Sequence, residues 1–226
     1  MQVNKLKFFV DSADFSVIDK IDYIKIHGVT TNPSLAAKSI GAGATGSEKF
    51  TKYKEILGNI CEKIDGDVSG EVIAIEYESM KNEALELAEI NKNIVVKLPI
   101  TKDGLRLCKF LSEERNIAVN MTLCFSPIQA VLCAMNGAKY VSPFIGRLDD
   151  LGLDGMELIR DIKKIYSNYN FSTQILAASV RNIGHVLASM EAGADAITIP
   201  PTLFDSMYKH LLTDKALEIF LHDWNK

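Results

Sequence analysis

Ile94-Val95-Val96-Lys97-Leu98-Pro99-Ile100 is β-branched and apolar on both sides of a single lysine. Such a run reads as a strand buried on both faces, the kind found in parallel sheets covered by helices. Working outward, Met80–Ile90 before it and Leu105–Glu114 after it carry apolar residues at helical spacing. The alternation then continues in both directions. Towards the N-terminus stand a strand over Leu6–Ala13, a helix from Asp14 to Ile24, a short strand at Val29–Thr31, a glycine-rich loop at Gly41, Gly43 and Gly46, a helix around Phe50–Ile64 and a strand over Val68–Ala74. Towards the C-terminus come a strand at Ile117–Leu123, then a helix with Ser126 as N-cap, Pro127 in its first turn and Gly137 as its stop. Strands at Tyr140–Ile145, Ile175–Val180 and Ala196–Ile199 follow, interleaved with helices over Met156–Tyr166, Ile183–Ala192, Leu203–Leu212 and Lys215–Trp224. About eight β-then-α units without a linker predict an α/β fold, a single (β/α)8 TIM barrel over residues 1–226 with an additional C-terminal helix. The rival, a doubly wound open sheet, calls for a glycine fingerprint after an early strand, and neither GxGxxG nor GxxxxGK[ST] occurs.

The chain has 226 residues, 47% hydrophobic and 24% charged, with a formal net charge of −4. That size suits one large domain, and the mildly acidic balance without a basic run argues against nucleic acid or an anionic membrane as the partner. No apolar stretch approaches the ~20 residues of a spanning helix, and Met1–Lys7 does not fit a signal peptide. Cys61, Cys108, Cys124 and Cys133 form no CxxC and have no zinc-like spacing, so reduced, mostly buried thiols in a cytoplasmic protein and no metal are expected.

Lys97 has two readings. Removing an ammonium from water favours the neutral amine, which is a carbonyl nucleophile able to form a Schiff base. Alternatively it makes a structural ion pair or snorkels to water from a strand end. The other strands weigh on the choice, because side chains two apart on a strand share a face and barrel active sites sit at the C-terminal strand ends. Asn120 and Thr122 share a face, as do Ser142 and Phe144, Ser179 and Arg181, and Ser69 and Glu71; Asp11 ends one strand and Asn32 follows another. Polar residues at one end of six strands converge on one site.

These segments carry a resemblance. Phe8-Phe9-Val10-Asp11, Gly28-Val29-Thr30-Thr31-Asn32-Pro33-Ser34-Leu35, Val68-Ser69-Gly70-Glu71-Val72, Val95-Val96-Lys97-Leu98-Pro99, Asn120-Met121-Thr122-Leu123, Tyr140-Val141-Ser142-Pro143-Phe144-Ile145-Gly146-Arg147 and Ala177-Ala178-Ser179-Val180-Arg181 run in order along the chain. Together they resemble the short, single-domain transaldolases, a family shared with the fructose-6-phosphate aldolases. The resemblance implies transfer of a dihydroxyacetone unit from sedoheptulose 7-phosphate or fructose 6-phosphate to glyceraldehyde 3-phosphate or erythrose 4-phosphate, in the pentose phosphate pathway. It implies Lys97 as the Schiff-base lysine, with no other cofactor, Asp11 as the acid/base at the C4 hydroxyl, and Glu71 with Thr122 as holders of a catalytic water. Asn32, Asn120 and Ser142 would bind the dihydroxyacetone hydroxyls, and Phe144 would line that part of the site.

Arg147 and Arg181 offer planar donor forks suited to phosphate oxygens, and Ser179 adds a hydroxyl; the matched positions agree. Within the family, glutamate and phenylalanine at Glu71 and Phe144 resemble transaldolases, whereas the aldolases carry glutamine and tyrosine there. A tyrosine hydroxyl could protonate the enamine and release free dihydroxyacetone. Phe144 cannot, so transfer is favoured over release; release is the near alternative, a sugar-phosphate isomerase using Glu71 and Lys97 a further one, and a non-catalytic phosphosugar-binding barrel the last. Gly70 stands where a bulkier residue is common, and the Gly41–Gly46 loop is longer than the pattern. His27, His185, His210 and His222 read as structural or surface residues. Phe220–Trp224 is aromatic surface on the last helix, and the resemblance implies that this helix packs on a neighbouring subunit in a homo-oligomer, a pentamer or decamer.

Overall fold

The computed structural model describes residues 6–43 and 45–226. The expectation about a signal peptide at Met1–Lys7 therefore falls mostly outside the described residues. Eight parallel strands close a barrel in sequence order, and the last pairs with the first through Lys7↔Ala196 to Val10↔Ile199. The order is β1 (Lys7–Asp11), α1 (Phe15–Ile18), β2 (Gly28–Thr30), α2 (Pro33–Ile40), α3 (Gly46–Lys63), β3 (Asp67–Glu71), α4 (Tyr77–Ala88) and β4 (Ile94–Pro99). Then come α5 (Lys102–Lys109), which runs on into a π-helical turn over Phe110–Glu114, β5 (Val119–Cys124), α6 (Pro127–Met135), β6 (Tyr140–Pro143), α7 (Ile145–Asp149) and α8 (Gly155–Tyr169). β7 (Gln174–Ala177), α9 (Ile183–Glu191), β8 (Ala196–Ile199), α10 (Pro201–Tyr208) and α11 (Leu211–Trp224) complete it. This is the (β/α)8 barrel with a further C-terminal helix.

The period of two along each strand divides the core in two. Val10, Val29, Val68, Ile94, Val96, Leu98, Met121, Val141 and Ile197 point outward into one continuous apolar layer under the helices. Phe9, Val95, Tyr140, Leu176, Ala178 and Ala196 form the separate apolar filling within the barrel. Lys97 lies two beyond Val95 on the same inward face. Phe9 and Tyr140 meet edge to face at 5.7 Å, and Gly28 leaves room for the Phe9 ring: a Cβ there would come within 2.6 Å of it.

Several boundaries depart from the sequence expectations. The helix expected from Asp14 to Ile24 is the single turn α1, capped by Asp14; the chain beyond it packs Ile21 and Ile24 on the core without helical backbone. A helix absent from the expectations, α2, starts at Pro33, where the Asn32 side chain accepts from Leu35 N–H at 2.9 Å. The strand expected to reach Ala74 ends at Glu71, because the Ile73 and Ala74 amides donate to the Glu83 carboxylate on α4 at 2.7 and 2.9 Å instead of to a neighbouring strand. Likewise β6 stops at Pro143 because Phe144 turns out of the strand as the N-cap residue of α7, and β7 stops at Ala177, two residues before Ser179 takes the left-handed φ of 60°. The final two helices begin earlier than expected, at Pro201 and Leu211. Gly41 and Gly43, with φ of 81° and 104°, turn the chain between α2 and α3, and Gly46 already belongs to α3. Among the described residues no helix is long and apolar enough to cross a membrane.

Candidate active site

Register places the polar residues side by side around the C-terminal rim. Asp11 pairs with Thr30, Thr30 with Ser69, Glu71 with Lys97 and Lys97 with Asn120. Lys97 is only 4% exposed, and its Nζ lies 3.0 Å from Glu71 Oε2 while donating to the Thr31 carbonyl at 2.9 Å. The amine thus sits between the ends of β2 and β3, held by one carboxylate and one backbone carbonyl. A buried charge keeps its place only when paired in this way.

Asp11 receives the Thr30 hydroxyl at 2.9 Å, and Thr30 Oγ1 meets Thr198 Oγ1 at 2.6 Å. Burial raises the Asp11 carboxyl above its ordinary range, against the opposing pull of the Lys97 charge and the Thr30 hydrogen bond. Asn120 is fully buried and bridges two strands, donating to Ser69 Oγ at 3.1 Å and accepting from Ser142 Oγ at 2.8 Å. Thr122 is also fully buried, and among the described residues its hydroxyl oxygen has no hydrogen-bond partner. The β5–β6 register slips by one residue between Met121 and Cys124, and Leu123 there adopts a φ of 64°. Left-handed backbone at a branched residue stores strain and is concentrated at functional sites.

A cavity of about 210 Å³ is lined by Asp11, Asn32, Lys97, Ser142, Phe144, Arg147, Ser179 and Arg181, with Thr30 and Thr198 below. A second cavity of about 310 Å³ shares Asp11, Asn32, Lys97, Phe144 and Arg147 and adds Glu71. The sequence-predicted residues thus converge, except that Asn120 and Thr122 line neither cavity. Arg147 lies over the Phe144 ring at 5.4 Å, and Phe144 is braced edge to face by Phe125 at 5.8 Å. Ser179 and Arg181 stand in the loop after β7 and not on the strand expected for them. Arg181 is exposed and donates to Asp150 at 3.1 Å.

The sequence reading missed several residues that join this site. His185, expected to be structural or surface, is half-buried and braces the rim: Nε2 lies 2.8 Å from Asp149 and Nδ1 accepts from the Arg181 amide at 3.2 Å, tying α7, which bears Arg147, to the loop that bears Arg181. Thr31 and Tyr53 share a 2.6 Å hydrogen bond behind Lys97. A histidine four residues beyond an Arg-bearing motif carries a weak signal in sequence; a tyrosine on a distant helix carries none. A larger cavity of about 470 Å³, lined by Lys163, Ser167, Asn170, Gln174 and Asp195 among others, lies near the start of β7, away from Lys97. The four cysteines are free and buried, and burial raises their thiols, Cys61 to about 11.

The profile of the transaldolase/fructose-6-phosphate aldolase family matches residues 8–225. A probable transaldolase of Dinoroseobacter shibae is 51% identical over 222 residues, covering 98% of this chain and 97% of that protein. One of Caulobacter vibrioides is 51% identical over 220 residues (97% of this chain, 96% of that protein), and one of Brucella ovis 52% identical over 222 residues (98% and 97%). Among solved structures, the thiamine phosphate pyrophosphorylase of Pyrococcus furiosus superposes with a TM-score of 0.56 over 87% of this chain and 86% of that one at 14% identity, a likeness of fold alone. With its closed barrel and an essentially full-length match, the chain belongs to the transaldolase/fructose-6-phosphate aldolase family.

Proposed function

We propose that the chain is a transaldolase that carries a dihydroxyacetone unit as a Schiff base on Lys97. The observation that carries this reading is the buried Lys97 amine, 3.0 Å from Glu71 and opening on a cavity that Asp11 and Arg147 also line. The ketose C2 carbonyl is attacked by the unprotonated amine. Glu71, within hydrogen-bond reach, takes the proton that Nζ must lose, and together with the Thr122 hydroxyl it handles the water released as the carbinolamine becomes an iminium. The iminium is the electron sink, so this route needs no further cofactor. Asp11 takes the C4 hydroxyl proton as the C3–C4 bond breaks; its electron pair moves into the iminium, and the aldose leaves. The enamine then attacks the carbonyl of a second aldose, Asp11 returns the proton to the new hydroxyl, and water releases the new ketose.

Asn32, Asn120 and Ser142 are assigned to the three-carbon unit, and Arg147, Ser179 and Arg181 to the phosphate of either sugar. Phe144 offers no proton donor to the enamine, which favours transfer over release as free dihydroxyacetone. The donors in this reading are sedoheptulose 7-phosphate or fructose 6-phosphate and the acceptors glyceraldehyde 3-phosphate or erythrose 4-phosphate, in a cytoplasmic pentose phosphate pathway. The exposed apolar side chains of α11, with Trp224 88% exposed, support the homo-oligomer that the family resemblance implies. The test is a product assay. Fructose 6-phosphate with erythrose 4-phosphate is expected to give sedoheptulose 7-phosphate and glyceraldehyde 3-phosphate in equal amounts. Equal release of free dihydroxyacetone and glyceraldehyde 3-phosphate without any acceptor would identify an aldolase instead.

A further inference from the structure

Tyr53 lies on α3, outside the barrel, and is 1% exposed. Its hydroxyl reaches between the ends of β2 and β3, where it accepts the Glu71 backbone N–H at 2.8 Å and meets Thr31 Oγ1 at 2.6 Å. Thr31 Oγ1 in turn donates to the Ser69 carbonyl at 2.8 Å. A threonine hydroxyl has one proton. Since it goes to Ser69, the proton in the Tyr53–Thr31 bond must be the tyrosine's. The chain therefore has one direction: Glu71 N–H to Tyr53, Tyr53 to Thr31, Thr31 to Ser69. Burial raises the Tyr53 hydroxyl well above its ordinary range, so it keeps that proton at any pH the enzyme meets.

The two residues joined by Tyr53 are the two that hold the Lys97 amine. Thr31 supplies the carbonyl at 2.9 Å and Glu71 the carboxylate at 3.0 Å. We infer that Tyr53 is a positioning residue for Lys97: its hydroxyl fixes the separation of Thr31 and Glu71 and so aims the amine at the cavity. The inference rests on the Schiff-base reading of Lys97. Tyr53 touches no reacting atom and acts through the two residues it connects, where a misplacement of about 1 Å is felt in the rate. Nothing in a helical tyrosine flanked by Lys52 and Lys54 signals this in the sequence.

The test compares wild type with Tyr53→Phe, Thr31→Val, Thr31→Ser and, as a packing control on the same face of α3, Ile60→Val. The readouts are the rate at which borohydride traps fructose 6-phosphate on the enzyme, kcat and KM separately, and thermal unfolding. Tyr53→Phe is expected to slow trapping and kcat by about tenfold with KM within about twofold. Thr31→Val, which removes the acceptor, should match it, and the double variant should lose scarcely more than either alone. Thr31→Ser keeps the hydroxyl and should restore the rate, while Ile60→Val should lower thermal stability without slowing trapping. If Tyr53→Phe fails to fold, the contrast between Thr31→Val and Thr31→Ser decides. Trapping and kcat within about twofold of wild type in Tyr53→Phe, or in Thr31→Val, overturn the inference. Absence of trapping in the wild type itself would instead overturn the Schiff-base reading on which the inference rests.

Discussion

Lys97 and Lys7 are both lysines on inward-facing strand positions, but they stand at opposite ends of the barrel in surroundings that differ in kind. Lys7 Nζ donates to Tyr140 OH at 3.1 Å and to Gln174 Oε1 at 3.0 Å. Around it Tyr140 OH donates to Asp67 at 2.7 Å, Lys139 pairs with Asp67 at 2.7 Å and Lys163 with Asp195 at 3.1 Å. Burial lowers the Lys7 amine from its ordinary value, Asp67 and Asp195 oppose that, and Lys139 adds to it. The lower end is thus a cross-braced plug of alternating charges. At the upper end the backbone is left-handed at Leu123 and Ser179, the Thr122 hydroxyl has no partner among the described residues, and Lys97 is held by two groups beside a cavity. A lysine in a strand is therefore not a sign of chemistry by itself. What distinguishes the two is whether the neighbours are saturated with each other or left with valence to spare for a substrate, and the barrel puts the second kind at the C-terminal strand ends.

The sharpest way to break this contrast is to remove each lysine. Lys97→Met is expected to abolish transfer, by about four orders of magnitude in kcat, and to lower stability by about 3 kcal/mol, since it leaves the Glu71 carboxylate at the rim without its cation. Lys7→Met should leave kcat within about twofold and lower stability by about 1–2 kcal/mol. The reverse pattern in a product assay and a denaturant titration would dissolve the distinction.

Next in size is Asp11→Asn, expected to lower kcat by about two to three orders of magnitude. The pH dependence carries the sign. Burial holds the Asp11 carboxyl above its ordinary range, so it stays protonated to higher pH than an exposed aspartate, and proton abstraction needs the ionised form. The rate of C–C cleavage should therefore rise with pH across that raised value, and this acid limb should vanish in Asp11→Asn; an acid limb that survives the substitution would assign the base elsewhere.

Asp67→Asn probes the plug. It is expected to cost about 1–3 kcal/mol of stability, through the loss of the charged partner of Lys139 and Tyr140, with kcat unchanged. A fall in kcat without a fall in stability would show that the two ends are not separable. The smallest effect is expected for Phe144→Tyr, which adds a hydroxyl beside the cavity without disturbing Arg147: release of free dihydroxyacetone from fructose 6-phosphate should rise about tenfold relative to transfer. An unchanged ratio would remove Phe144 from the partition between the two outcomes.

The barrel was legible because β-branched runs and capped amphipathic helices alternate along the chain, a pattern that survives errors of a few residues at each boundary. What was not legible follows from contacts distant in sequence. Nothing in Val72-Ile73-Ala74 says that Glu83 will capture two of its amides and end the strand. The Asn32-Pro33 pair is a readable helix start, yet a helix as short as α2 gives little apolar period to accompany it. For the site, strand-end residues such as Asp11, Glu71, Lys97 and Ser142 could be gathered because their polarity stands out against apolar neighbours. Tyr53 and His185 could not, since each reaches the site from a helix whose placement only the fold supplies.

The most direct test of the central claim is to incubate the enzyme with fructose 6-phosphate, reduce with borohydride, digest and map the adduct by mass spectrometry. The account predicts one modified residue, Lys97, bearing a reduced Schiff base: the six-carbon phosphate where hydride meets the first iminium, or the three-carbon unit where solvent has first protonated the enamine. An adduct on Lys7, on surface lysines alone, or no substrate-dependent adduct under turnover conditions would contradict it.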